Sequence, residues 1–300
     1  MSFKYLIIAI IGIVFFVLGT VLLGSFYSRT QGPESERIKI AATIYPLYDI
    51  AQNVAGDALD VKLIVPPGAS PHFYEFSPIR LAQLQGTRII FAIGHGLDDW
   101  AQEVQAAIPG VEVYIVDQGI ALRESEEESG TVDPHYWLHF GNARKITNSI
   151  RDVLRRVDPQ NSGVYDLNAG TYSEMLAMKE EELVEKVIAL PQKNIVTFHD
   201  AFYYFANNFN LDIVGTFQPA AGEEPTPKYL AELQKKVRER DVKLVFGEPQ
   251  FSSAALENFA RDNFLTIAIL DPIGGVEGRK SYVEMMEYNI AIIIEKLGKL

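Results

Sequence analysis

Five histidines, at positions 72, 95, 135, 139 and 199, and no cysteine set the chemistry open to this 300-residue chain. Without thiolates there is no disulfide, no thiol nucleophile, no cysteine metal site and no lipid carried on an N-terminal cysteine. Any metal must be held by imidazole and carboxylate, donors that suit first-row divalent cations. Three histidines share a setting. His72 follows an apolar run at 61–65 and the turn Pro66, Pro67, Gly68; His135 lies in Asp133, Pro134, His135, Tyr136, Trp137, Leu138, ahead of a helical pattern. His199 directly follows Ile195, Val196, Thr197 and Phe198, and Asp271 follows the apolar run 265–270 and precedes Pro272, Ile273, Gly274, Gly275. Ligands in open α/β sheets bind at the loops beyond the strands' C-terminal ends. The expectation is one site formed by His72, His135, His199 and Asp271.

Each residue also has a bland reading. A lone loop histidine more often serves the surface than a metal, and an aspartate before proline commonly opens a turn. What favours a site is that four such residues occupy equivalent places. His139 stands four residues after His135, a spacing that shares one helix face in compact zinc motifs, yet Phe140, Gly141 and Asn142 read as the helix boundary, which ranks His139 as a neighbour. His95, between Gly94 and Gly96, reads as a loop residue. Glu248, in Gly247, Glu248, Pro249, Gln250, is either an alternative oxygen ligand or the acceptor for an imidazole N–H, the kind of partner that fixes a ring tautomer.

The elements that must position these residues alternate. Short β-branched runs at 38–44, 61–65, 88–93 and 111–116 read as strands, with helices at 46–54, 78–85 and 97–107 between them. A helix follows at 141–157. After Pro159 an unbroken stretch runs to Leu190, long enough for a helix of about 45 Å at 1.5 Å per residue. Strands at 194–198, 213–217, 243–246 and 265–270 then alternate with helices at 201–208, 227–239, 253–262 and 281–297. The predicted fold class is α/β: two similar lobes with mainly parallel sheets, 37–158 and 192–300, joined by one long rigid helix at 159–191, with the site in the cleft between them.

The first 36 residues differ. From Tyr5 to Leu23 there is no charge, and Ile, Leu, Val and Phe dominate. That length can span a bilayer and exceeds the core of a usual signal peptide. An uncleaved membrane anchor is favoured over a cleaved signal, with residues 31–36 as a polar tether and the folded part outside the cytoplasm, or released to the periplasm if cleaved. The net charge of -12 disfavours phosphate backbones, so no nucleic acid is expected as partner. The run Glu124, Ser125, Glu126, Glu127, Glu128 reads as a solvated loop.

These motifs resemble the solute-binding proteins of zinc and manganese ABC importers over nearly the whole chain after residue 36. Pro71, His72, Phe73, Tyr74, Glu75 with Ser77 and Pro78 is similar to that family's first ligand loop, and Asp133 to Leu138 to its second. Phe198, His199, Asp200, Ala201, Phe202 resembles the third, Leu270 to Gly274 the fourth, and Phe246 to Phe251 a recurrent Glu-Pro-Gln segment. The resemblance implies a protein that is no enzyme, captures a divalent metal between two lobes and delivers it to an ABC permease and its ATPase. Three imidazoles and one carboxylate suit tetrahedral Zn2+, with Mn2+ as the alternative. A monomer is expected. Two departures are visible: His139 stands where the family more often has Asp, Asn or Ser, and the loop at Ser125 is acidic where many zinc members are His-rich. The rivals are a zinc-dependent hydrolase, for which no His-Glu-x-x-His exists, and a surface adhesion protein stabilised by a structural metal.

Overall fold

The structure, a computed structural model, describes residues 38–125 and 130–298. The expected membrane segment and tether therefore lie outside the described residues, as do positions 126–128 of the acidic run. Among the described residues no helix is long and apolar enough to cross a membrane.

The first lobe is a four-stranded parallel sheet of β1 (Lys39–Ala42), β2 (Asp60–Leu63), β3 (Thr87–Ala92) and β4 (Glu112–Ile115), in the order β2-β1-β3-β4. Its helices are α1 (Tyr45–Ala55), α2 (Pro78–Gln83) and α3 (Ala101–Ala107). Proline opens α1, and Gly56 at φ 54° closes it, the asymmetry that a ring-fixed φ at the start and a missing Cβ at the end produce. The Ser77 hydroxyl accepts the Arg80 N–H at the start of α2. Helix α3 begins later than the apolar pattern suggests, because the buried Asp98 carboxylate accepts the N–H groups of Ile93 and Gly94 and the Thr43 hydroxyl, which holds the preceding stretch as a turn.

The second lobe repeats the plan with β5 (Asn194–Thr197), β6 (Asp212–Thr216), β7 (Leu244–Gly247) and β8 (Thr266–Ile269), parallel in the order β6-β5-β7-β8. Between the lobes run α4 (Phe140–Val157) and α5 (Ser162–Ile188). The 27 residues of α5 span about 40 Å. Its buried side chains, Tyr165, Ala169, Tyr172, Leu176, Leu183 and Val187, recur at helical spacing and form one stripe against α1 and α4 and, from the second lobe, α9 (Tyr282–Leu297). The remaining helices are α6 (Tyr203–Phe209), α7 (Pro227–Glu239) and α8 (Ala254–Asp262).

In each sheet the chain lays its second strand on one side of the first and its third on the other, so the crossover direction reverses beside the first strand. Ligand sites in such sheets form beyond that reversal. In the second lobe it falls between β5 and β7, which carry His199 and Glu248 just past their ends; His72 follows β2 and Asp271 follows β8. The lobes meet closely there. A Cβ on Gly222 would come 2.5 Å from the Phe73 ring, and one on Gly275, at φ 82°, 2.6 Å from Tyr45.

Candidate metal centre

His72, His135 and His199 converge. Their ligating nitrogens all lie within 4.8 Å of one another, and His72 Nε2 is 3.2 Å from His135 Nε2. Two nitrogens on a tetrahedral ion at 2.0–2.1 Å stand about 3.3 Å apart, so this spacing is that of a shared cation. The rings pack face and edge, with centroids 5.2–5.5 Å apart.

Carboxylates assign the tautomers. Asp133 Oδ1 accepts both the His135 backbone N–H at 2.9 Å and its Nδ1–H at 3.0 Å. Glu248 Oε1 accepts the His199 Nδ1–H at 2.6 Å. With the proton on Nδ1, Nε2 carries the lone pair, the form in which imidazole ligates. Burial, reinforced by His135 and His199, lowers the His72 pKa to about 2, and burial holds His135 well below its usual range. Both are therefore neutral at physiological pH. Burial likewise raises Asp133 to about 6, against the opposing His135 N–H and the Arg123 guanidinium.

Asp271 is buried in the adjoining loop but is not among the donors within that 4.8 Å. Its Oδ1 accepts the N–H groups of Ile273 and Gly274, each at 3.0 Å, and Gln250 Nε2 at 3.2 Å; its Oδ2 pairs with Arg279 Nε at 3.0 Å. Trp137 ties this loop to that of His135: its Nε1–H donates to Pro272 O, and its own carbonyl accepts the Tyr282 hydroxyl, both at 2.8 Å. The other two histidines stand apart. His139 caps α4, its Nδ1 accepting the Gly141 N–H at 2.9 Å, and His95 pairs with Asp117 at 2.9 Å.

The cavity at the cluster, bounded by His72, His135, His199, Glu248, Phe251 and Pro272, holds about 10 Å3. That is room for one water-sized sphere, enough for a bare ion and too little for an organic substrate. A wider hollow of about 540 Å3, lined by Arg123, Asp200, Tyr203 and Lys236 along β6, contains no imidazole and does not compete as a metal site.

Over residues 40–296 the sequence matches the family model described as zinc-uptake complex component A, periplasmic. The chain belongs to this family of metal-binding substrate-binding proteins of ABC importers. It is 30% identical over 272 residues to the manganese-binding lipoprotein MntA of Halalkalibacterium halodurans, covering 89% of this chain and 90% of that one. The fold is similar to a crystal structure of ZnuA (TM-score 0.78, 28% identity, 86% and 98% of the two chains). It is equally similar to the Mn2+ complex of FpvC from Pseudomonas aeruginosa (TM-score 0.78, 26% identity, 88% and 98%). Family membership makes the chain a carrier that works with a permease and an ATPase, and no enzyme. The hydrolase reading is set aside on that ground.

Sequence reasoning missed the roles of Asp133, Gln250, Arg123 and Arg279. The first was readable: an aspartate two residues before a histidine can turn back on both its N–H groups. Arg123 and Arg279 gave no signal, because nothing in their local sequence announces a distant carboxylate.

Proposed function

We propose that this chain captures a divalent transition metal, Zn2+ ahead of Mn2+, through His72, His135, His199 and Asp271, and hands it to an ABC permease outside the cytoplasm. The observation that carries the reading is the group of three imidazole nitrogens within 4.8 Å of one another, on two buried rings and the half-buried His72, with two tautomers fixed by carboxylates. Formal charge supports a dication. The carboxylates of Asp133, Asp200 and Asp271 pair with the guanidiniums of Arg123 and Arg279, and Glu248 pairs with the His199 ring; four negative charges against two positive leave two for the cargo to neutralise. Asp271 completes the set by turning one oxygen from Arg279 to the ion. Nitrogen donors with one carboxylate favour zinc, and affinities at such sites rise from Mn2+ to Zn2+. Manganese keeps its place because a bidentate Asp271 would raise the coordination number.

We further infer that the protein acts as a monomer, tethered by residues 1–36 in the cell envelope. Residues 5–23 carry no charge and are long enough to cross a bilayer, which supports that attachment. Elemental analysis and competitive titration of the purified protein, with alanine at His72, His135, His199 and Asp271 in turn, test the site. One ion per chain and at least a tenfold loss of affinity in each histidine variant is expected; unchanged stoichiometry and affinity in all four sinks the assignment.

A further inference from the structure

One cation joins the loops that carry two of the imidazoles. Arg123 lies between β4 and α4, at the root of the acidic loop, where Glu124 and Val132 form an antiparallel bridge and the Asp133 N–H donates to the Arg123 carbonyl at 2.9 Å. The Arg123 N–H donates to the Tyr204 hydroxyl of the second lobe, also at 2.9 Å. The guanidinium then meets two carboxylates. Nη1 is 3.4 Å from Asp133 Oδ2, and Nη1 and Nη2 fork onto the two oxygens of Asp200 at 3.3 Å each, while the plane lies 3.8 Å from the Tyr203 ring centroid. The three side chains are 15%, 1% and 9% exposed, so this is a shielded, forked pair and not a screened surface contact.

Those carboxylates are not arbitrary. Asp133 belongs to the first lobe and holds both N–H groups of His135; Asp200 belongs to the second and directly follows His199. The Trp137 bonds secure the 271 loop, whereas the Arg123 fork secures the loop of His199. We propose that Arg123 is the inter-lobe clamp of the metal centre, a positioning residue that acts through Asp133 and Asp200 to keep His135 and His199 at ligating distance and so sets how slowly the ion leaves. The proposal rests on the three-histidine cluster being the metal site. For the ion to escape, the histidines of the two lobes must part, and parting them pulls the fork open.

Field and position predict opposite signs at Arg123. Removing a positive charge near a bound dication strengthens its attraction to the site, whereas releasing the clamp hastens its departure. Asp200→Asn cuts the same fork while changing local charge the other way. The test loads the full-length protein in detergent with Zn2+ and follows its transfer to excess chelator by stopped flow, for wild type, Arg123→Ala, Asp200→Asn, the double variant and His72→Ala. Both single variants are expected to dissociate about tenfold faster, the scale for partners of metal ligands, and the double variant no faster than either single one. Singles that shift the rate in opposite directions, rates within about twofold of wild type, or an additive double variant overturn the clamp. Asp200→Asn is nearly isosteric and keeps the test decisive if Arg123→Ala fails to fold. Zinc held as tightly by His72→Ala as by wild type would instead overturn the site reading itself; loss in His72→Ala with Arg123→Ala unchanged overturns the clamp alone.

Discussion

Glu248 offers the sharpest separation of metal binding from folding. It is buried, its Oε1 takes the His199 Nδ1–H at 2.6 Å, and its Oε2 has no hydrogen-bond partner among the described residues. The carboxylate thus does two things: it fixes the ring, and it places a negative charge one imidazole away from the ion. The 2.6 Å bond, the ring and a metal–nitrogen bond of about 2 Å put that charge roughly 6–7 Å from a dication. At an effective dielectric of 20 the gross attraction is about 5 kcal/mol. Partners of metal-bound histidines are measured at about 10–100-fold in affinity, or about 1.4–2.8 kcal/mol, and this smaller figure sets the expectation. Glu248→Gln retains an acceptor oxygen and loses the charge; Glu248→Ala loses both. Zinc affinity should fall about tenfold for Gln and nearer 100-fold for Ala, read by competition with a chromophoric chelator. Metal-free stability should not fall in the Gln variant, because a buried charged oxygen without a partner carries a desolvation cost that the amide lessens. Wild-type affinity in both variants, or a stability loss in the metal-free protein as large as the affinity loss, would refute the reasoning.

Three further outcomes are expected. His72 is held neutral down to about pH 2 in the fold but takes up a proton near 6.5 when unfolded, so its burial costs stability only below that value. Metal-free wild type should therefore lose about 2 kcal/mol relative to His72→Ala between pH 7 and 5, from one group shifted across that window; parallel denaturation curves at the two pH values would contradict it. Zinc affinity should also weaken as pH falls below about 6, where Asp133 takes up a proton and loses the negative charge beside the His135 ring; equal affinity at pH 5 and 7.5 would count against that. Trp137→Phe removes the donor to Pro272 O and leaves a buried carbonyl unpaired, for a loss of about 1–3 kcal/mol in urea denaturation, and an unchanged midpoint would show that bond to be idle.

Much of this was legible in the residues themselves. The strands announce themselves by β-branched runs between turn residues, and α5 by a proline-free stretch rich in helix formers, because backbone propensity and burial are local properties. The three histidines lie near one another in the structure, and the reason is local too: each follows a recognisable element, and parallel sheets put such followers on one edge. Position was readable where it derives from an element's end. Pairing was not. Asp271 was read as facing the ion, and its oxygens are engaged by Arg279, Gln250 and two loop amides, contacts that depend on how loops far apart in sequence settle. Arg123 escaped notice for the same reason: its partners lie 10 and 77 residues away.

The two lobes share one strand order but use it differently, and the difference explains how a neutral imidazole group can exist before the ion arrives. In the first lobe the reversal beside β1 is filled by protein: Asp98 takes the Thr43 hydroxyl and the N–H groups beyond β3, and the Tyr136 hydroxyl donates to Ile93 O. That lobe therefore presents a finished surface, with His72 and His135 fixed upon it. In the second lobe the reversal between β5 and β7 is left to His199 and Glu248, whose second oxygen waits without a partner. A preorganised donor pair facing a lobe with an uncompensated buried charge is an arrangement that a dication completes. Helix α5, packed against α1 and α4 on one side and α9 on the other, limits how far the halves can separate. On the proposed site, release would come from small movements of the loops, where the ion pairs of Asp133, Asp200 and Asp271 lie.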